Sequence, residues 1–261
     1  MLLDTHLWVS TAAAGLALFA QQFLGLSLEA MPVLVVAAAT MAIYHVDDRF
    51  DATLPSVVTG LPGWAQATSL ALSMTVVFLC LIRAPAPAIA LVGVGALPCL
   101  LYGAPLRRGR QRLRELPGIK PFFVVGALTA ACVGVPVLWA EQRPNTLAIA
   151  LATAIIGALT LCNVCFFDIR DRRADATLAL RTIPLMVGTR ATRRLCLGCS
   201  AGLLALIAAG AVPVHSVPPL AAAAGATACY ALSLSADASR LRFALAVDGV
   251  PILLGTLVAL R

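Results

Sequence analysis

The stretch "LATAIIGALTLCNVCFFDIRDRRAD" (residues 151–175) joins an uncharged apolar run to a cluster of three aspartates and three arginines. The apolar run extends back to residue 145. A helix needs about 20 apolar residues to cross a bilayer. The stretch therefore predicts a transmembrane helix that ends in charged residues at one membrane surface.

The rest of the chain repeats this pattern. Of its 261 residues, 61% are hydrophobic and 12% are charged, whereas an average soluble domain is about 45–50% apolar and about 25% charged. We expect an all-α, polytopic membrane protein, a single domain over residues 1–261 with nine transmembrane helices in a bundle. The approximate ranges are 7–28, 30–46, 64–82, 86–103, 121–140, 145–167, 195–212, 218–235 and 243–260. Because "MLLDTHLW" at the N-terminus has no basic region, the first run is expected to be a span rather than a signal peptide.

The basic residues are divided unequally between the two sets of connections. One follows helix 2, six follow helix 4, seven follow helix 6 and two follow helix 8, so 16 of the 19 lie on one side. Cytoplasmic loops carry the Lys/Arg excess. We therefore expect this side to lie at the cytoplasmic face of a bacterial plasma membrane and to contact membrane lipids. Topology explains the net charge of +7, and we expect no nucleic-acid partner.

The eight cysteines all lie in or at the ends of apolar runs. Two pairs, Cys162/Cys165 and Cys196/Cys199, have the spacing of zinc ligands. Within membrane spans, however, thiols are more often small packing groups. We expect these four to contribute to helix packing.

Six of the twelve acidic residues form two clusters. Asp47, Asp48 and Asp51 follow helix 2, and a second set follows helix 6, namely Asp168, Asp171 and Asp175. Four spans separate the two clusters, and an even number of spans returns the chain to the same side. Both clusters are therefore expected at the cytoplasmic face, where helix packing brings them together.

The spacing of the second cluster places its acids on one helical face. Residues at i, i+3 and i+7 share a face about 60° wide if helix 6 continues through residue 175. Arg170 and Arg173 are then predicted to point away. Three like charges on one face need a partner cation, and carboxylates beside a phosphate-bearing ligand are a typical Mg²⁺ site. The alternative is a solvated helix end with an Asp168–Arg172 ion pair.

These residues resemble the UbiA superfamily of intramembrane prenyltransferases over essentially the whole chain. Members have nine helices and two motifs, N-D-x-x-D-x-x-x-D after helix 2 and D-x-x-D-x-x-x-D after helix 6. Asp168, Asp171 and Asp175 match all three acids of the second motif. "RTIPLMVG" (181–188) is also similar to the family pattern. "LYGAPLRR" (101–108) and "LPGIK" (116–120) resemble its tyrosine, basic and lysine positions after helix 4.

The first motif departs from the family pattern. If Asp48 and Asp51 are its first two acids, then Asp47 replaces the asparagine and Pro55 stands in place of the third acid. If Asp47 and Asp51 are instead its last two acids, Tyr44 occupies the first acid position. Either alignment lacks one carboxylate.

The resemblance implies Mg²⁺-dependent transfer of an isoprenyl chain from a prenyl diphosphate to a lipophilic acceptor, such as an aromatic lipoquinone or pigment precursor. The bundle would surround a central cavity for the hydrocarbon chain. The implied catalytic residues are Asp168, Asp171 and Lys120. The implied metal ligands are Asp47, Asp48, Asp51, Asp168, Asp171 and Asp175. The implied substrate-binding residues are Tyr102, Arg107, Lys120, Arg181 and Asp248.

Two other functions remain open at this level. One is an intramembrane terpene cyclase that uses the same diphosphate, and the other is a non-catalytic lipid-binding or transport protein. An intramembrane acid such as Asp248 marks a functional site by default, although burial beside an arginine or exposure at the cytoplasmic rim explains it at least as well. His45 borders the first cluster and is expected to be hydrogen-bonded. His6 and His215 carry no expected role.

Overall fold

The computed structural model describes residues 6–51, 62–104, 113, 116, 118–177, 180–235 and 237–260, except for the side chains of Asp51 and Arg240. Within these ranges every regular element is a helix, and nine are long. The first four are α1 (Leu7–Phe23), α2 (Ala30–Asp51), α3 (Gly63–Leu81) and α4 (Ala86–Gly103). The other five are α5 (Ile119–Trp139), α6 (Thr146–Thr177), α7 (Thr189–Ala208), α8 (Val217–Ser233) and α9 (Leu241–Ala259). A short helix, Ile183–Val187, precedes α7.

Seven of the described helices are long and apolar enough to cross a membrane; α1 and α8 have 17 residues each. Large apolar side chains also point away from the protein, and among them Trp64 is 74% exposed and Phe78 is 66% exposed. Water does not favour such a surface, but lipid does. The chain is an integral membrane protein, and the prediction of an all-α polytopic fold is confirmed.

Eight of these helices form a closed ring. Contacts between neighbours run in the order α1, α2, α4, α5, α6, α7, α8, α9 and back to α1, while α3 packs outside the ring against α2. Helix α1 also contacts α5 and α6. The ring brings helices from the two halves of the chain to a common interior.

Helices α1 and α9 approach each other closely because two glycines face one another. A Cβ atom on Gly15 would lie 2.2 Å from the Pro251 carbonyl oxygen, and one on Gly255 would lie 2.3 Å from the Gly15 Cα atom. Any larger residue at either position would push the two backbones apart. This contact closes the ring between the first and last helices of the chain.

Three helices extend at least five residues beyond their predicted ranges, whereas α1 ends at Phe23 rather than residue 28. Helix α2 continues to Asp51 rather than residue 46, α6 continues to Thr177 rather than residue 167, and α7 begins at Thr189 rather than residue 195. Hydropathy detects where a segment leaves the lipid, because charged side chains are costly there. Arginine and alanine, which are frequent in these segments, are nevertheless good helix formers, so the helices continue beyond the lipid.

The two cysteine pairs meet between α6 and α7. The Cys162 thiol lies near the Cys196 and Cys199 thiols, and its Sγ atom is 3.9 Å from the Cys196 carbonyl oxygen. Cys162, Cys165 and Cys196 are buried, and all four are free thiols. Their burial in the contact agrees with the predicted packing role.

Candidate active site

Helix α6 carries the second acidic cluster on one face, because it remains helical through Asp175. Asp168 is 2% exposed and Asp175 is 5% exposed. Asp171, on the same face, is only half-buried. Two carboxylates are therefore removed from solvent, and each needs a compensating partner.

The partner cation is Lys120, at the start of α5. Its Nζ atom lies 2.9 Å from Asp168 Oδ1 and 3.3 Å from Asp175 Oδ2. Gly118, with φ of 72°, directs the chain into α5, and its backbone N–H donates to the Arg181 carbonyl oxygen over 3.2 Å. This hydrogen bond joins the start of α5 to the segment after α6. Lys120 is thus the cation that the second acidic cluster requires.

Asp168 retains one oxygen for another ligand. Its Oδ2 atom is buried and has no hydrogen-bond partner among the described residues. A buried carboxylate oxygen without a partner is unusual and costs free energy unless a ligand satisfies it. Oxygen atoms of carboxylates are the ligands that Mg²⁺ prefers. The second cluster therefore fits the Mg²⁺ ion that the resemblance implies.

Arg170 binds Asp171, the remaining acid of the second cluster. Its Nε and Nη2 atoms donate to the two oxygens of Asp171 over 2.7 Å and 2.6 Å. The guanidinium also lies over the rings of Phe167 and Phe243, at 4.8 Å and 5.9 Å from their centroids. The prediction that Arg170 points away from the acids is wrong, because its long side chain folds back to its sequence neighbour. Asp168 is paired with Lys120, and not with Arg172 as in the alternative of a solvated helix end.

The first acidic cluster has partners of a different kind. His6, at the beginning of α1, lies 2.6 Å through Nε2 from Asp48 Oδ2. His45 is hydrogen-bonded as expected, with 2.8 Å between its Nε2 atom and Ser69 Oγ. Asp47 packs against the end of α4, where a Cβ atom on Gly103 would lie 2.3 Å from Asp47 Oδ1. The sequence did not predict this contact of His6 with Asp48.

Asp248 lies in a π-helical segment of α9, Ala244–Asp248, and is 5% exposed. Asn163 of α6 donates a hydrogen bond from Nδ2 to Asp248 Oδ1 over 2.9 Å. Trp8 of α1 donates from Nε1 to the Ala244 carbonyl oxygen over 2.8 Å. The intramembrane acid is thus held by α6 within a segment that α1 also binds. Sequence reasoning did not identify Asn163, whose amide is uncharged and lies inside an apolar run.

Electrostatic interactions extend between the two acidic clusters. Tyr44 lies within the electrostatic range of Asp47 of its own helix and of Asp248 of α9, and Asp248 lies within that of Arg170. Arg170 in turn binds Asp171 of the second cluster. The two clusters lie at the same end of the ring.

The remaining expected residues are placed as follows. Tyr102 stacks on Phe123 of α5, with 4.6 Å between ring centroids and 4° between ring planes. The Arg181 side chain is exposed. Arg107 and the Asp51 side chain lie outside the described residues. His215 is at the opposite end of α1, where its Nε2 atom lies 2.9 Å from the Gln22 carbonyl oxygen.

The bundle and its acidic end define a known class of fold. No protein-family model matches the sequence, and no curated protein matches it. The structure is similar to a UbiA homolog from Aeropyrum pernix K1, with a TM-score of 0.69, 14% identity, and 97% of this chain and 98% of that chain covered. It is also similar to a structure of digeranylgeranylglyceryl phosphate synthase in membranes, with a TM-score of 0.57, 12% identity, and coverage of 99% and 96%. The chain therefore has the UbiA fold.

Proposed function

We propose that this protein is a prenyltransferase that moves an isoprenyl chain from a prenyl diphosphate to a lipophilic acceptor and depends on Mg²⁺. The observation that carries the proposal is the arrangement of Lys120 between Asp168 and Asp175, with Asp168 Oδ2 left without a partner. The position of these three residues at one end of a UbiA fold supports the same function. A purely structural ion pair does not need a buried, unpaired carboxylate oxygen.

The acids supply the ligands for the metal. Asp168 and Asp171 of α6 would hold Mg²⁺, with Asp175 beside them and Asp47, Asp48 and Asp51 completing the set from α2. When bound, Mg²⁺ stabilises the negative charge that develops on the leaving diphosphate as the C–O bond breaks. Arg170 orients Asp171 with two hydrogen bonds, so that this carboxylate is positioned before the ligand arrives.

Basic side chains would bind the diphosphate itself. An ammonium has three N–H donors, and Lys120 directs two of them at Asp168 and Asp175. The third remains to donate to a diphosphate oxygen. Arg181 is exposed at the same end and presents the donor geometry that suits phosphate. Arg107 and Tyr102 are the further candidates from the connection between α4 and α5.

The acceptor would bind on the side of the ring that contains Asp248. Asn163 fixes one oxygen of this buried acid, and the other is the candidate to orient an acceptor hydroxyl or to accept its proton. The apolar walls of the ring would face the hydrocarbon chain and keep water away from an allylic cation. The acceptor on this view is lipophilic and carries a polar reacting group, as aromatic lipoquinone and pigment precursors do.

The orientation proposed for the acidic end is cytoplasmic, in a bacterial plasma membrane. The support is the excess of basic residues in the connections at that end. Reporter fusions after residues 60 and 115 should be cytoplasmic, and one after residue 143 should be on the opposite side. The reverse pattern would contradict the orientation without affecting the proposed chemistry.

The direct experiment is incubation of the purified protein with labelled geranyl, farnesyl or geranylgeranyl diphosphate, with and without Mg²⁺, in the presence of a membrane lipid extract. We expect Mg²⁺-dependent release of diphosphate together with a larger lipophilic product. A prenyl hydrocarbon formed in the absence of extract would indicate cyclisation instead. Binding without diphosphate release under every condition would identify a non-catalytic lipid-binding protein.

A further inference from the structure

We propose that His6, His45 and Asp48 form a binding site for a divalent transition-metal ion such as Zn²⁺ or Co²⁺. The site lies between the beginning of α1 and the end of α2, and it shares only Asp48 with the carboxylate set proposed for Mg²⁺. It extends beyond the proposed prenyl transfer, because metal binding here requires no diphosphate.

The three side chains already lie close enough to share one ion. A nitrogen of each imidazole and an oxygen of Asp48 all lie within 4.8 Å of one another. The ring centroids of His6 and His45 are 5.0 Å apart, with 74° between the ring planes. His45 and Asp48 are three residues apart in α2, so they share one face of that helix, and His6 approaches from α1.

The second observation is the hydrogen-bonding state of His45. This side chain is 1% exposed, and its Nε2 atom is bonded to Ser69 Oγ. Its Nδ1 atom is buried and has no hydrogen-bond partner among the described residues. Metal-binding histidines typically hydrogen-bond through one ring nitrogen, which fixes the ring, and coordinate through the other. A bound ion removes the cost of a buried nitrogen without a partner.

The donor set selects the type of ion. Two imidazoles and one carboxylate are typical of Zn²⁺ and related first-row ions, whereas Mg²⁺ prefers oxygen ligands alone. With bonds of about 2.0–2.2 Å to such an ion, the ligand atoms would lie somewhat closer to one another than the separations of up to 4.8 Å in this structure. Small side-chain rotations close this gap. The hydrogen bond between His6 and Asp48 is then replaced by two bonds to the ion.

The test is a titration of the untagged, EDTA-treated protein with Co²⁺ in detergent, without any prenyl diphosphate. We expect one tight site per chain, visible as a cobalt absorption band, that Zn²⁺ abolishes and excess Mg²⁺ does not. The variants His6→Ala and His45→Gln should each weaken binding roughly tenfold or more, because loss of even an outer-shell partner has an effect of this size. The half-buried His6 is the variant of choice if His45→Gln fails to fold.

The matched control is His215→Ala, at the far end of α1, which should bind Co²⁺ as the unmodified protein does. The four cysteines between α6 and α7 are a possible competing site, so Cys162→Ser should also leave the titration unchanged. Unchanged affinity in His6→Ala, or loss of the site in Cys162→Ser alone, would overturn the proposal. Since no substrate is present, a failure of prenyl transfer leaves the result unaffected.

Discussion

Lys120 Nζ lies 2.9 Å from Asp168 Oδ1, and the same ammonium also contacts Asp175, about two turns further along the same face of α6. One cation from α5 therefore balances two buried acids. The arrangement joins α5 to α6, and it places the proposed catalytic lysine against the proposed metal ligands. The ion pairs should therefore affect both the stability of the fold and the activity, and separate substitutions test the two effects.

Substitution Lys120→Met tests the effect on stability. The two acids would remain buried with their cation removed, and breaking a buried ion pair in this way costs about 3–5 kcal/mol. We expect a loss of this size in the free energy of unfolding, measured in mixed detergent micelles. The double variant Lys120→Met with Asp168→Asn should regain part of the stability and none of the activity. No recovery in the double variant would show that charge balance is not what Lys120 provides.

Substitution Asp168→Asn tests the effect on activity. The amide oxygen can still accept from Lys120, and Asp175 still balances the ammonium, so stability should change little. The unpaired Oδ2 oxygen, however, becomes an amide group that does not coordinate a metal. We expect Mg²⁺-dependent diphosphate release to fall roughly 100-fold or more.

The matched control is Asp237→Asn, an exposed acid in the connection between α8 and α9. It removes the same charge from outside the proposed site and should leave turnover unchanged. Asp171→Asn should behave as Asp168→Asn does. Retained Mg²⁺-dependent turnover in both α6 variants would refute the assignment of the metal site.

The hydrogen bond between Asn163 and Asp248 predicts coupling between α6 and α9. In Asn163→Ala, an oxygen of a buried carboxylate loses its partner, which costs about 1–3 kcal/mol. Because Asp248→Ala removes the acid itself, adding Asn163→Ala to it should cost less than Asn163→Ala alone. Unfolding free energies of the two single variants and the double variant measure this difference. Strictly additive losses would contradict a direct interaction in the folded protein.

Several features of this protein are readable from its sequence for clear physical reasons. Apolar runs predict the spans because lipid accepts little charge, and the i, i+3, i+7 spacing predicts the common face of Asp168, Asp171 and Asp175. Long-range partners are not readable in this way. His6 and Asp48 are 42 residues apart, and Asn163 and Asp248 are 85 apart. Such pairs depend on which helices become neighbours in the ring, and local periodicity contains no information on that order.

Resemblance brought Lys120 into the candidate site as a catalytic and substrate-binding residue. Its pairing with Asp168 and Asp175 was not predicted, although three acids on one helical face indicated that some cation was needed. The alternative of a solvated helix end paired Asp168 with Arg172, its neighbour one turn away in α6. A lysine 48 residues earlier in the chain serves instead, because Gly118 and the hydrogen bond to Arg181 bring the start of α5 beside the acids.

The close contact between Gly15 and Gly255 predicts opposite effects for two glycine substitutions. In Gly15→Ala the new methyl group would meet the Pro251 backbone oxygen at 2.2 Å, so α1 and α9 must separate, at a cost of about 1–3 kcal/mol. Gly202→Ala in α7 is the matched control, since a Cβ atom there has no neighbouring atom within 4 Å. Alanine is the better helix former by about 0.5–1 kcal/mol, so this variant should be slightly more stable. Unfolding free energies in mixed micelles measure both. A stabilising effect of Gly15→Ala would contradict the close packing of α1 against α9.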